Sequence, residues 1–555
     1  MQLPVGLLLG CGVAMPWLWP WAPPPTPSAP GMLVAWIITA LCWGLTSPDG
    51  LTGFSSVQRS VSFQTAGQWK WLWAAIGLTL LALYQIPVVD LALLAAPWGA
   101  CLCMALAAQA ARACQTSAKP GVRAGLAWGL LWAGVLSAVI GGLQYGGFLH
   151  EPTSSWPWLH ASPQEEAYGQ LRQRNQFGSL MSLGLAAWIY LSQTGWPGRW
   201  GRWLAWPTMA ALVLGAVASS SRTGALTWVA LAGLALVWPT QSTSAAAGPG
   251  PRTGAWAALT GFLSLSWILP QWVNLAAPVV PKMSALERLA TQAEGGGVCE
   301  SRVVLWRHVL ELSMQKPWLG WGWGELDFAH ATQEVSGERF CGQLGHAHNL
   351  LLQVAVEWGW PLALTGLVCL GAWVWQRQPW RARQPVQAMG WSVAGVIGLH
   401  SLLEFPLWYG PFQMALGLAV GWIGSAPLEN QTGHATRHQR TLSRGLALAL
   451  LLGSLWASWD YRLVTQVYQA PSQRSTACRQ DPWVCANQVI VFHQGRDFAR
   501  LMQLPASSRG LDSTHQLAER VAHYAPEQHI LALRIRAGAT SSASEPRPAP
   551  ASEPP

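Results

Sequence analysis

Residues 91–111 read LALLAAPWGACLCMALAAQAA, a run without a single charged side chain, and the first charge after it is Arg112. As a helix, such a run is about 30 Å long, the thickness of the hydrocarbon layer of a bilayer. Comparable stretches recur at 3–19, 32–45, 71–88, 124–146, 176–193, 204–220, 223–239, 254–270, 350–376, 387–405, 408–424 and 445–459. Of the 555 residues, 51% are hydrophobic and 10% charged, against about 25% charged in an ordinary soluble domain. Water is therefore not the main solvent of this chain. The reading is an all-α polytopic membrane protein with about thirteen transmembrane helices.

The net charge of +9 does not point to nucleic acid, because Lys and Arg are scattered over short loops rather than gathered on one surface. Arg112, Lys119 and Arg123, then Arg199 and Arg202, then Arg377, Arg381 and Arg383, then Arg437, Arg440 and Arg444 all fall on one side of the expected spans. The positive-inside rule makes that side cytoplasmic and leaves the amino terminus inside. The loops at 147–175 and 271–348, the turns at Ser221-Arg222 and 406–409, and the tail after about 460 then lie on the outer face. Five parts follow: N-terminal spans over 1–270, a large outer loop at 271–348, C-terminal spans over 349–461, a small soluble helical region at 462–537, and a disordered Ala/Ser/Pro/Glu-rich segment at 538–555. Within the soluble region His515 to Ala537 has a helical pattern that Pro526 divides.

Cys299 and Cys341 share the outer loop and Cys478 and Cys485 share the tail, so each pair is a candidate disulfide in an oxidising compartment. Neither pair has the spacing of a zinc knuckle.

Polar residues cluster at the outer edge. Arg174-Asn175-Gln176 opens one span, Ser221-Arg222-Thr223 sits at a turn, and Ser301-Arg302 begins an amphipathic stretch of the large loop. Guanidinium forks suit phosphate or pyrophosphate oxygens and stabilise charge growing on a leaving group. An arginine at the end of one span is ordinarily a snorkelling residue; three such groups on one face point to a shared anionic site. The alternating Gly320, Gly322 and Gly324 expose backbone, but no strand precedes them and no Lys-Ser/Thr follows, which excludes a nucleotide P-loop. His346-Ala347-His348-Asn349 joins the large loop to an apolar helix that Asn349 is suited to cap. A histidine there can take a proton near neutral pH, and Glu357 is a candidate to orient it. No third ligand gives the two histidines a zinc pattern, whereas His308 and His400 read as structural. Leu403-Glu404-Phe405-Pro406-Leu407-Trp408-Tyr409 places a carboxylate and a phenol at a proline break, and a carboxylate at the membrane edge is costly without a partner or a function.

In this order, Arg-Asn-Gln, Ser-Arg-Thr, Ser-Arg-x-x-x-Trp, Pro-x-x-Gly-x-Gly-x-Gly, His-x-His-Asn and Leu-Glu-Phe-Pro-Leu-Trp-Tyr, the motifs resemble the O-antigen ligase and polymerase superfamily. Within it the chain is most similar to the bacterial protein glycosylation ligases, the pilin-type O-oligosaccharyltransferases, over most of residues 1–460. The resemblance implies a GT-C-like glycosyltransferase architecture in a bacterial inner membrane, with the active site and the tail periplasmic. It implies transfer of an oligosaccharide from undecaprenyl pyrophosphate to Ser or Thr of a pilin-like or other periplasmic protein. His348, with His346 beside it, matches the family's essential histidine, Gln176 its essential glutamine, and Arg222 and Arg302 its pyrophosphate-binding arginines. Arg174, Glu404 and Asn349 join them as candidate substrate-binding residues; Phe405 stands where the family has a first tyrosine, so that role passes to Tyr409. A base at His348 and direct displacement predict inversion, with no metal or other cofactor. An O-antigen ligase acting on lipid A-core and a polymerase are the neighbouring alternatives. A secondary transporter is the remote one, and it lacks two related halves.

Overall fold

The computed structural model describes residues 5–46, 77, 90–117, 119–149, 151, 158–196, 198–238, 250–275, 280–293, 299, 301–342, 344–382, 384–425, 437–504 and 512–534. Those residues form helices joined by turns and contain no strand. In chain order they are α1 (Val5–Ala14), α2 (Ala29–Thr46), α3 (Leu91–Gln115), α4 (Pro120–Tyr145), α5 (Arg174–Thr194), α6 (Gly198–Ala218), α7 (Arg222–Val237) and α8 (Pro251–Asn274). There follow α9 (Ala285–Ala293), α10 (Arg302–Gln315), α11 (Leu326–Thr332), α12 (Leu350–Trp358), α13 (Trp360–Arg377), α14 (Pro385–Ser401), α15 (Gly410–Ile423) and α16 (Arg437–Thr465). The last are α17 (Trp483–Ala486), α18 (His493–Met502) and α19 (Asp512–Ala522).

Among the described residues, α2, α3, α4 and Gln439–Tyr468 are long and apolar enough to cross a membrane, and Val5–Leu18, Trp203–Ala218, Arg222–Leu236 and Gly410–Ile423 are shorter apolar helices. Of the span expected near 71–88 only Gly77, which is helical, is described, and the disorder expected at 538–555 lies outside the described residues. Asp90 caps α3 by accepting the Leu93 amide at 2.6 Å.

At the centre stands α5, buried without interruption from Gln176 to Gln193 and packed against α4, α6, α7 and α14. Small residues let the flanking helices approach closely: a Cβ on Gly417 or Gly421 of α15 would stand 2.5 or 2.4 Å from the Met104 or Ala108 carbonyl oxygen of α3. Where lipid offers no hydrophobic drive between helices, such close backbone packing is what holds them.

The stretch expected to be one span over 350–376 is two helices. Gly359, at φ +87°, breaks it, and a Cβ there would lie 2.2 Å from the Trp318 carbonyl oxygen. With nine residues α12 is only ~14 Å long, too short to span, and it packs on α10 of the large loop. The glycine-rich turn grips its end: the Trp321 and Gly322 amides donate to the Val356 and Glu357 carbonyls at 2.8 and 3.0 Å, and Trp360 N donates to Pro317 O at 2.8 Å. Those alternating glycines are thus a clamp on α12.

The tail folds back onto the loop. The buried Asp460 carboxylate accepts the amides of Ile490, Val491 and Phe492 at 2.8, 2.9 and 2.9 Å. Tyr461 donates its hydroxyl to Pro23 O at 2.6 Å, which ties the proline-rich connector to the same region. The helical pattern from His515 is divided as Pro526 requires, with α19 ending at Ala522 and helix resuming at 528–534. Cys299 is bonded to Cys341 and Cys478 to Cys485.

Gly359→Ala forces a side chain into a left-handed backbone against a carbonyl and is expected to destabilise the protein by about 2–4 kcal/mol. Thermal unfolding of the detergent-solubilised protein reads the loss; an unchanged midpoint would mean that the clamp is dispensable.

Candidate active site

Four helix N-termini meet at the bend between α14 and α15. Each is capped by a side chain from the expected motifs or from the residue before them: Gln173 accepts Gln176 N at 2.6 Å, Ser221 accepts Gly224 N at 2.9 Å, Ser301 accepts Val304 N at 3.2 Å, and Asn349 accepts Leu351 N and Leu352 N at 3.0 and 3.2 Å. The caps satisfy amides that helix ends leave free, and the aligned dipoles make the meeting point favourable to an anion.

The bend itself supplies the hub, the carboxylate of Glu404, which is 5% exposed. Its Oε1 accepts Asn175 Nδ2 at 2.7 Å and Arg302 Nη2 at 2.5 Å, and its Oε2 lies 2.8 Å from His348 Nδ1. Asn175 in turn accepts the Ser221 hydroxyl at 2.7 Å, and Asn349 Nδ2 donates to the Leu402 carbonyl at 3.2 Å. Five separated motifs are thereby joined through one side chain. Burial raises the Glu404 pKa, but the hydrogen bond to His348 and the charges of His348 and Arg302 outweigh it and hold the group below the usual carboxylate range. It is the Glu404 carboxylate, not Glu357, that orients the histidine. Glu357 is buried and accepts Gln353 Nε2 and Gly324 N instead, at 2.9 and 3.1 Å.

The two histidines are not equivalent. The His346 ring stacks on Phe405 with centroids 4.0 Å apart and meets Trp408 edge-on at 5.0 Å. Burial, with the neighbouring His348, pushes its pKa down to about 4 against the opposing pull of Glu404, so it is neutral at pH 7. His348 keeps a third of its side chain exposed and sits at φ +49°, a strained conformation for a histidine. Phe405 also meets its ring edge-on at 5.0 Å. With Nδ1 turned to Glu404, Nε2 is the nitrogen left for other work.

The arginines form the second half of the site. Arg222 stands within electrostatic range of Arg302, Arg174 and Glu404. Arg174 is partly occupied by Glu166, at 2.8 Å. Arg288 of α9 belongs to the same cluster, in the fields of Arg174, Glu166 and Arg222. Tyr409 packs on Phe405 at 6.0 Å with the buried Gln176 amide beside its hydroxyl. Sequence reasoning did not single out Asn175, Phe405 or Arg288 for these places. The first lies inside the Arg-Asn-Gln motif and the second departs from the family pattern, but Arg288 carries no local signal.

Two stretches of the chain match known families. Residues 207–366, which include Arg222, Arg302 and His348, match the family described as O-Antigen ligase. Residues 388–543, with Glu404, Tyr409 and most of the tail, match the family described as Virulence factor membrane-bound polymerase, C-terminal. The helical fold, with its apolar helices, and these two partial matches make the chain similar to the O-antigen ligase superfamily. Within it the chain is similar to the pilin-type O-oligosaccharyltransferases. It is 24% identical over 300 residues to the General O-oligosaccharyltransferase of Acinetobacter baylyi, covering 53% of this chain and 50% of that protein. To the ComP-specific O-oligosaccharyltransferase of the same organism it is 23% identical over 202 residues, covering 36% and 34%. The chain thus spans half or less of the length of these relatives.

Asn175→Ala removes the bridge between Ser221 and Glu404 and is expected to cost about 1–3 kcal/mol. Asn175→Asp, which sets a carboxylate against Glu404, is expected to cost more. Unfolding midpoints of both variants, and of each combined with Glu404→Gln, check this; the combination should cost less than the sum of the single changes.

Proposed function

We propose that this protein is an O-oligosaccharyltransferase of a bacterial inner membrane. In this reading it moves a glycan en bloc from undecaprenyl pyrophosphate to a Ser or Thr hydroxyl of a pilin-like or other periplasmic protein. About thirteen spans hold the site at the periplasmic face, with the amino terminus cytoplasmic and the large loop and tail outside. The observation that carries the reading is the pairing of His348 Nδ1 with Glu404 Oε2 at 2.8 Å beside a cluster of arginines.

The chemistry follows from that pairing. A hydroxyl is a poor nucleophile at neutral pH. With Nδ1–H donated to Glu404, His348 offers the Nε2 lone pair to the acceptor hydroxyl, and the imidazolium that forms is stabilised by the carboxylate next to it. The hydroxyl oxygen attacks the anomeric carbon while the bond to the pyrophosphate oxygen breaks. Arg222 and Arg302, with Arg174 and Arg288 near them, hold the diphosphate and stabilise the charge it gains, in a rim where helix N-termini add to the field. Direct displacement inverts the anomeric centre. No step calls on a metal or another cofactor. His346 is a neutral ring packed with Phe405 and Trp408, and it positions the segment that carries His348. Gln176 and Tyr409 stand together as candidate contacts to the sugar.

A second reading, a polymerase that extends the glycan on its lipid carrier, is favoured by the family matched over 388–543. An O-antigen ligase would use the same site with lipid A-core as acceptor.

Purified enzyme given a lipid-pyrophosphate oligosaccharide and two competing acceptors, a Ser/Thr-rich periplasmic protein and lipid A-core, separates these readings. Glycan on the protein is expected, with His348→Ala inactive and Glu404→Gln slowed by about 10²–10³ in kcat. Transfer by His348→Ala at the wild-type rate would sink the proposed base. Lengthened lipid-linked glycan with both acceptors unlabelled would move the protein to the polymerases.

A further inference from the structure

At φ +49°, His348 holds a left-handed backbone that a histidine keeps only where its surroundings impose it. No helix imposes it, because α12 begins two residues later, at Leu350. Glu404 fixes the ring, its Oε2 lying 2.8 Å from Nδ1, but a contact at the ring leaves the chain beneath it free to turn. The backbone needs a restraint of its own.

Ala347, the residue before, supplies it. It is fully buried; its amide donates to Gln353 Oε1 at 2.6 Å and its carbonyl accepts Trp306 Nε1 at 3.1 Å. Buried backbone groups outside a helix need such partners. Here they come from two helices, Trp306 from α10 and Gln353 from α12. Each peptide group is planar, so holding the N–H on one side of Ala347 and the C=O on the other orients both of its peptide planes. That sets the direction in which the chain enters His348.

Gln353 is in turn held in one orientation. It is 3% exposed and stands four residues before Glu357, on the same face of α12. Its Nε2 donates to Glu357 Oε1 at 2.9 Å, and that oxygen also accepts Gly324 N at 3.1 Å. The Ala347 amide can only donate, which turns Oε1 toward it and leaves the NH2 for the carboxyl group. A line of hydrogen bonds therefore runs from the glycine turn through Glu357 and Gln353 to the residue before His348. An i,i+4 pair that served α12 alone would have no need of a third partner outside the helix.

We infer that Gln353 and Trp306 are positioning residues of the proposed transfer, which hold Ala347 from both sides and so keep the His348 ring where it meets the acceptor hydroxyl. The inference rests on the transferase reading above. Gln353 is too buried to touch either substrate, so its loss acts through His348: the arginines still hold the diphosphate, while the hydroxyl meets a misplaced base. A displacement of about 1 Å at a reacting group costs on the order of 10²-fold in rate.

The experiment measures kcat, and KM for donor and acceptor, with the full-length enzyme in detergent, a lipid-pyrophosphate oligosaccharide and the Ser/Thr-rich periplasmic protein. Unfolding midpoints are recorded beside them. Gln353→Met keeps the length of the side chain and removes both of its hydrogen bonds. It is expected to lower kcat by about 10–100-fold and to leave each KM within about twofold of the wild type. Trp306→Phe, which removes only the donor to the Ala347 carbonyl, is expected to lower kcat in the same way, and it keeps the test open should Gln353→Met fail to fold.

Exchanging the pair, Gln353→Glu with Glu357→Gln, preserves every bond. The carboxyl group at 353 accepts Ala347 N and the amide from 357, whose oxygen accepts Gly324 N. The exchanged pair is expected to restore kcat to within about threefold of the wild type. An unchanged kcat in both single variants, or a raised KM in place of a lowered kcat, would overturn the positioning role. So would an exchanged pair that unfolds like the wild type yet stays as slow as Gln353→Met. No transfer by the wild type would overturn the transferase reading, and this role with it.

Discussion

One buried carboxylate holds the site together. Glu404 receives Asn175 and Arg302 on one oxygen and faces His348 with the other. A buried charge of this kind is tolerable only when every partner is in place, because removing one leaves the rest uncompensated. The cost of burying it therefore fixes α5, α10, α12 and the α14–α15 bend relative to one another. The same bonds turn His348 Nδ1 and the Arg302 guanidinium toward one carboxylate, so the interaction that secures the architecture also orients the two groups of the proposed mechanism.

The histidine segment is held just as firmly from the other side. His348 occupies a left-handed backbone conformation, which persists only where its surroundings impose it. Phe405 packs against both imidazoles, Asn349 caps α12, and the glycine turn at 320–324 grips the far end of that helix. A helix of nine residues has little stability alone. Clamped at both ends, it becomes a rigid mount for a single ring.

The tail is part of this assembly. Asp460 gathers three successive amides, Tyr461 fastens the connector at Pro23, and His523 meets Glu325 in the loop that leads to the histidines. Residues matched to the polymerase family run from the Glu404 bend through most of this region. The Glu404 bend and most of the tail thus fall within one matched stretch of sequence.

The sequence alone determined the solvent, the helical class and the set of polar motifs, because these depend on local composition and on the length of apolar runs. It also placed Asn349 as a cap and Pro526 as a break, both consequences of nearest-neighbour chemistry. It could not divide 350–376 at Gly359, since that break is set by the close approach of Trp318, forty-one residues earlier. Nor could it choose Glu404 over Glu357 as the partner of His348. Glu357 is nearer in the chain, yet α12 turns it away into the glycine clamp. Arg288 joined the arginine cluster with no motif around it. The sequence decides which groups are available and which segments are helical, whereas contacts between residues 229 positions apart, as between Asn175 and Glu404, exist only once the helices have packed.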